Sequence, residues 1–168
     1  MPPLFSGSPG CTPSALFLLC CLGRTPPLLH DVFPHHSIKA PTAESSEEEI
    51  EEFYEKLEDT IAEVPRKDIK VVMGDWNAKV GSDNEGWEAA MGRYGYGEQN
   101  ERGERLLEFA VKHKLMIGNT RFQQKESRKW TWRSPSGLHK NMIDLILIEQ
   151  RWKTALWNCR TYQGADIS

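Results

Sequence analysis

Three side chains in this sequence combine reactive chemistry with unusual positions. Asp75 and Asn77 stand two residues apart in VVMGDWNAKVG (Val71–Gly81), and Asp144 lies inside the apolar run MIDLILI (Met142–Ile148). In extended backbone, side chains two apart point the same way. One acid and one carboxamide then face a common space, where the acid takes a proton or a hard cation and the amide donates to a phosphoryl oxygen. The same pair also suits an Asx turn, in which both residues only satisfy loop backbone. Asp144 poses the sharper problem, because a carboxylate inside a strand is costly unless it is paired or hydrogen-bonded. The alternative is a position at the strand's beginning that still reaches water.

The elements that must hold these residues are legible from periodicity. Ile69, Val71, Val72 and Met73 form a short, largely β-branched run with charge before it and Gly74 after it, the pattern of a strand covered on both faces. Gly74 permits a close backbone approach or unusual dihedrals. Asp75 and Asn77 thus emerge at the strand's C-terminal edge, where layered α/β proteins commonly bind ligands. Upstream, ESSEEEIEEFYEKLEDTIAEVP places Ile50, Phe53, Tyr54, Leu57, Ile61 and Val64 on one helical stripe. Ser46 and Glu49 have the spacing of a capping box, and Pro65 ends the helix. Gly81 to Gly97 reads as a loop with five glycines, in which Trp87 is an anchor rather than a clamp over the site. Asn100 to Leu115 reads as a second helix with Leu107, Ala110 and Val111 inward. Strands follow at Leu115–Asn119, at Lys129–Pro135, which runs into a Pro-Ser-Gly turn, and at Met142–Ile148.

The 168 residues suffice for one domain with a real core, and the formal charge of −3 hides a division. Residues 1–101 carry 8 basic and 18 acidic side chains, residues 102–168 carry 13 and 6. A basic second half suits a phosphate-bearing partner, and Lys112, Lys114, Arg121, Lys125, Arg128, Lys129, Arg133 and Lys140 are the cations available for it. Cys11, Cys20, Cys21 and Cys159 show neither C-x-x-C spacing nor paired histidines, so they read as reduced thiols. The five histidines, at 30, 35, 36, 113 and 139, are framed by no motif and read as surface or loop residues. Residues 1–36 are proline-rich, lack amphipathic period and read as an unstructured leader. Their apolar stretch Ala15–Gly23 is too short to span a bilayer, and no Lys or Arg precedes Arg24 as a signal peptide requires. A nuclear or cytoplasmic site suits these features better than secretion, and no membrane partner is implied.

GDWN at residues 74–77, TW at Thr131–Trp132 and MID at Met142–Asp144 occur in order, together with NERGERLLEFAVKHKLMIGNTRF and APT at Ala40–Thr42. In this series the chain, from about Ile38 to Ile167, resembles the endonuclease/exonuclease/phosphatase family. It looks like the apurinic-type endonuclease domain of RTE-type non-LTR retrotransposons and craniofacial development protein 2-like proteins. The resemblance implies a four-layered α/β sandwich, here partial, and magnesium-dependent phosphodiester hydrolysis of DNA. It implies that Asp75 orients or deprotonates the attacking water and that Asn77 holds the scissile phosphate, the two also forming the metal side of the site. Asp144 would align a histidine, and Thr131, Trp132 and Arg133 would belong to the substrate-binding segment, with core packing the other reading of Thr131 and Trp132.

Departures from the family pattern are equally specific. The family's asparagine and metal-binding glutamate belong before APT, where residues 1–36 resemble neither. Lys39 stands where relatives read tyrosine, and the Ser-Asp-His that follows GAD in relatives is not reached at Ser168. His139 precedes the strand of Asp144 and does not replace that histidine. The expectation is a domain unrelated to its leader, with DNA binding that is weak and catalysis that is lost. The alternative is an active divalent-metal DNA endonuclease completed by a partner or by further segments. Oligomeric state is not legible.

Overall fold

The computed structural model describes residues 17–22, 37–42 and 44–162. In chain order the elements are β1 (Phe17–Leu22), β2 (Ser37–Lys39), α1 (Glu47–Glu63), β3 (Val71–Asp75), β4 (Val80–Gly81) and β5 (Tyr96–Gln99). They continue with α2 (Glu101–Lys112), β6 (Leu115–Ile117), β7 (Trp132–Arg133), β8 (Lys140–Asn141), β9 (Asp144–Glu149) and β10 (Leu156–Tyr162). The fold class is α/β, and the arrangement is consistent with an incomplete sandwich. A four-stranded mixed sheet has the order β2-β3-β9-β6, with β2 parallel to β3 and with β9 antiparallel to both of its neighbours.

Helix α1 begins where its caps dictate. The Ser46 hydroxyl accepts from the Glu49 N–H at 3.3 Å, the Glu49 carboxylate accepts from the Ser46 N–H at 2.9 Å, and three glutamates occupy the first turn. Both features satisfy the unpaired N–H groups and the positive end of the helix. Ile50, Leu57 and Ile61 are buried, and Phe53 and Tyr54 pack against the core. Helix α2 is capped by Asn100, whose Oδ1 accepts from Gly103 N at 2.9 Å and also from Lys79 N at 3.0 Å. Its inward face is Gly103, Leu106, Leu107, Phe109 and Ala110. Val111, expected inward, is 43% exposed, because helical steps of three and four from Gly103 centre the stripe on residues 106, 107 and 110 and leave 111 at its rim.

The core lies between these helices and one face of the sheet, where Val72, Leu115, Ile117, Leu145 and Leu147 meet Leu57, Ile61, Leu106 and Ala110. On the other face Met116, Ile146 and Ile148 are buried, but Met73, directly opposite Ile146 in register, is 38% exposed. Cover on that side therefore ends towards β2. The expected strand Leu115–Asn119 stops at Ile117 and turns into a tight 3-10 turn at Gly118–Thr120. Of Lys129–Pro135, only Trp132–Arg133 enters a ladder, pairing with Lys140–Asn141 as a hairpin. The loop from Gly81 to Gly97 is tied down by the β4–β5 pair, by a bridge from Met91 to Ile117, and by Trp87, which packs against the core as the anchor expected of it.

Within the stretch read as an unstructured leader, Phe17–Leu22 pairs antiparallel with β10, from Phe17 opposite Tyr162 to Leu22 opposite Leu156. The expectation is corrected for these six residues: an apolar extended run pairs with β10, which among the described residues has no other strand partner. The rest of residues 1–36 lies outside the described residues.

Gly74 is the tightest point of the sheet. Its φ is +155°, and a Cβ there would lie 2.0 Å from the backbone oxygen of Ile38. Any side chain must push β2 away from β3. Gly74→Ala should therefore lower stability by on the order of 2–3 kcal/mol, measured as a shift in the urea unfolding midpoint.

Candidate functional site

Strand β3 delivers Asp75 to its C-terminal end, and β9 begins at the same place with Asp144. The two acids are directly opposed in the antiparallel register Asp75↔Asp144, so the residues singled out from sequence meet as cross-strand neighbours. Directly opposed residues in such a pair carry side chains on the same face, with Cβ atoms about 5 Å apart. Trp76 points the other way. It is 2% exposed, its indole N–H donates to the Leu145 carbonyl at 3.1 Å, and its ring meets Phe53 edge-on. Burying this ring in the core holds Asp75 and Asn77 on the opposite side of the strand end.

Asn77 turns the chain with a left-handed φ of 47°, a conformation that asparagine tolerates better than most residues. Its N–H donates to Asp75 Oδ1 at 3.0 Å, and its Nδ2 donates to the Ala40 carbonyl at 2.9 Å. The Asx turn and the shared site are thus one arrangement: the backbone bond occupies one carboxylate oxygen, and the carboxamide retains a second N–H and its oxygen.

Asp144 is held by its neighbours. The Thr131 hydroxyl oxygen accepts from Ile143 N at 2.9 Å and from Asp144 N at 3.0 Å. From the β6 side, Asn119 Nδ2 donates to the Asp144 carbonyl at 3.1 Å, and Asn119 Oδ1 accepts from Ile146 N at 2.8 Å. The β6–β9 ladder ends at Ile117, and this carboxamide extends it by offering one donor and one acceptor, as a peptide group does. Asn119 was not singled out from sequence, and the signal for it was slight: an amide just after an apolar run, the position at which Asn77 drew attention.

Burial raises the proton affinity of both acids. For Asp75 desolvation lifts the pKa, and the Asn77 N–H and then the Lys39 charge oppose it. For Asp144 desolvation again leads, the Thr131 hydroxyl opposes it, and the Asp75 charge adds to the rise. The Asp75 charge makes Asp144 harder to ionise, which is an electrostatic setting that a cation would relieve. Among the described residues no group of three or more acidic, histidine or cysteine side chains is placed to hold a metal ion. Asp75 and the Asn77 carboxamide oxygen are the groups that could take part in holding magnesium, which commonly uses one or two protein carboxylates and completes its shell with water and phosphate oxygens.

The substrate segment divides. Thr131 is 3% exposed with its hydroxyl directed at Asp144, a placement in keeping with the packing reading of this residue rather than the substrate-contact one. Trp132 is 37% exposed and Arg133 is exposed, both on the β7–β8 hairpin that leads away from Thr131. The eight cations also separate, Arg121 donating to Met116 Sδ at 2.9 Å. Lys112 pairs with Glu58 at 2.8 Å on the outer face of the helices, and Lys114 precedes β6 at the end of the sheet away from Asp75. Lys129 pairs with Glu126 at 2.7 Å, and Lys140 sits 4.8 Å above the Trp130 ring, whereas Lys125, Arg128 and Arg133 are exposed. His113 stacks on Phe109 near Glu58, remote from Asp75, and His139 is on the exposed hairpin turn.

The chain is 43% identical over 129 residues, 77% of its length, to craniofacial development protein 2 of Bos taurus. It is 42% identical over 127 residues, 76% of its length, to the protein of that name from Tragulus javanicus. It spans 22% of the length of each of these relatives. No family model and no solved structure matches. Among the described residues no helix is long and apolar enough to cross a membrane.

Two outcomes test this geometry. Thr131→Val keeps the shape but leaves two backbone N–H groups without their acceptor, and should cost about 2 kcal/mol where Thr131→Ser costs little. Asp144→Asn should stabilise the fold at neutral pH, because burial penalises the charged form of the wild-type carboxyl and the carboxamide carries no charge. That gain should vanish as pH falls below 3.8, the ordinary aspartate value, where the wild-type acid is protonated in both states. Urea unfolding across a pH series measures both.

Proposed function

We propose that this chain is the phosphate-handling part of a retrotransposon-derived domain of the endonuclease/exonuclease/phosphatase type, one that binds DNA weakly and does not cut it unaided. The observation that carries the reading is the opposed pair Asp75 and Asp144 with Asn77 beside it, at the C-terminal end of β3. The sequence marks GDWN, TW and MID support it by supplying those residues in the family's order.

Phosphodiester hydrolysis requires an oriented water, donors to the phosphoryl oxygens, neutralisation of the growing negative charge, and a proton for the leaving oxygen. Asp75, with its raised proton affinity, suits the orienting or deprotonating of water. Asn77 has one N–H committed to Ala40 and a second free to donate to a phosphoryl oxygen. Magnesium, held by Asp75 and the Asn77 carboxamide oxygen, would supply neutralisation. Asp144 is fixed by Thr131 and Asn119 to orient a basic partner. Trp132 and Arg133 offer an aromatic face and a cation to the nucleic acid.

The proton donor is the weak point of catalysis. His113 packs between the helices and His139 lies on the hairpin turn, so neither described histidine faces Asp144. Loss of one acid–base or charge-stabilising group costs about a hundred- to a thousandfold in rate. Binding needs only cations, and each phosphate neutralised releases counterions.

The test is relaxation of supercoiled plasmid in magnesium alongside DNA binding at several salt concentrations. The expected result is salt-sensitive binding without nicking. Nicking by the wild-type chain that disappears in the Asp75→Ala, Asn77→Ala double variant would instead establish the alternative, an active metal-dependent DNA endonuclease.

A further inference from the structure

The row of charges at the strand ends does not stop at the two acids. Lys39, the last residue of β2, is the direct parallel partner of Asp75, which in turn is the direct partner of Asp144. One cation and two carboxylates therefore lie in line across β2, β3 and β9, at the end of the sheet that also carries Asn77. The lysine's backbone is fixed to the site twice over through the next residue: Ala40 N donates to the Asp75 carbonyl at 2.7 Å, and the Ala40 carbonyl accepts from Asn77 Nδ2 at 2.9 Å. Ala40 is buried, whereas Lys39 is exposed and forms no ion pair among the described residues.

This placement addresses a difficulty in the electrostatics. Two carboxylates attract cations and repel a phosphodiester, so an anion needs a positive group on its line of approach. Lys112 and Lys129 are engaged in ion pairs, and Lys114 lies at the far end of the sheet. Lys39 has a flexible stem from a fixed backbone, with its ammonium in water and three donors to offer.

We propose that Lys39 is the phosphate-contacting cation of the site, holding one phosphodiester oxygen beside Asp75 and Asn77. The inference deepens the nucleic-acid reading and rests on it for the identity of the ligand. A lysine that merely offsets the charge of Asp75 would affect folding and leave phosphate binding alone, so the two roles separate experimentally.

The experiment measures binding of a labelled DNA duplex by fluorescence anisotropy over a series of sodium chloride concentrations, for wild type, Lys39→Met, Lys39→Arg and Lys153→Met. Lys153 lies beyond β9, at the other end of the sheet, and serves as the control for net charge. Thermal unfolding confirms that each variant is folded. The expected result is several-fold weaker binding by Lys39→Met, with the slope of log K against log salt reduced by about one. Lys39→Arg should restore the slope, and Lys153→Met should not change it. An unchanged slope in folded Lys39→Met overturns the inference and leaves DNA binding intact. If the wild-type chain does not bind DNA, the functional reading falls, and inorganic phosphate becomes the probe. Amide shifts at Lys39 and Asn77 on adding phosphate, lost in Lys39→Met, then support the lysine's role, and their absence in wild type overturns it.

Discussion

The pairing of β3 with β9 is the constraint from which the rest of the molecule follows. Its register runs from Val71 opposite Ile148 to Asp75 opposite Asp144, and it places Val72, Leu145 and Leu147 towards the helices. A slip of one residue would turn every side chain of the strand to the other face. It would turn Asp144 towards the helices and carry Leu145 and Leu147 away from the core they fill. The hydrophobic pattern that makes the core is thus also what assembles the two carboxylates.

Neighbouring elements reinforce that register at the site end. Gly74 lets β2 approach β3 so closely that a methyl group would collide with the Ile38 backbone. Gly103 does the same for α2, where a Cβ would lie 1.7 Å from the Lys79 carbonyl just beyond the site. Asn100 bonds both its own helix and Lys79, so the start of α2 and the turn after Asn77 are fixed by one side chain. Trp76 contributes from within: a fully buried aromatic of this size is worth about 2–3 kcal/mol, and its indole bond to Leu145 locks the strand end to β9.

Against this rigidity stands an electrostatic cost. Two half-buried acids face each other, and both have raised pKa values from desolvation. Nothing in the packing of the core requires either of them. Groups that destabilise a fold and are nonetheless firmly positioned are candidates for a functional site, which is the support they lend to the proposed function. By contrast, the ion pairs that join the helices, Arg105 with Glu51 and Lys112 with Glu58, are largely exposed and add little.

Sequence by itself determined whatever depends on local pattern. The caps and stripe of α1, the strand that ends at Asp75, the anchoring of Trp87 and the suspicion attached to Asp75, Asn77 and Asp144 all rest on spacing within a few residues. Tertiary structure decided what depends on partners distant in the chain. Val111 turned outward because the helix docks on a centre set by Gly103 and the Lys79 backbone. Between the two readings of Thr131, packing prevailed, its hydroxyl accepting from the N–H groups of Ile143 and Asp144. Phe17–Leu22 became a strand only in the presence of β10. Asn119 and Lys39 gained their places by register, which no window of sequence contains. Periodicity records which face of an element is apolar, and strand pairing records which residues meet. The second depends on contacts across 69 residues, from Asp75 to Asp144, and only the folded chain brings them together.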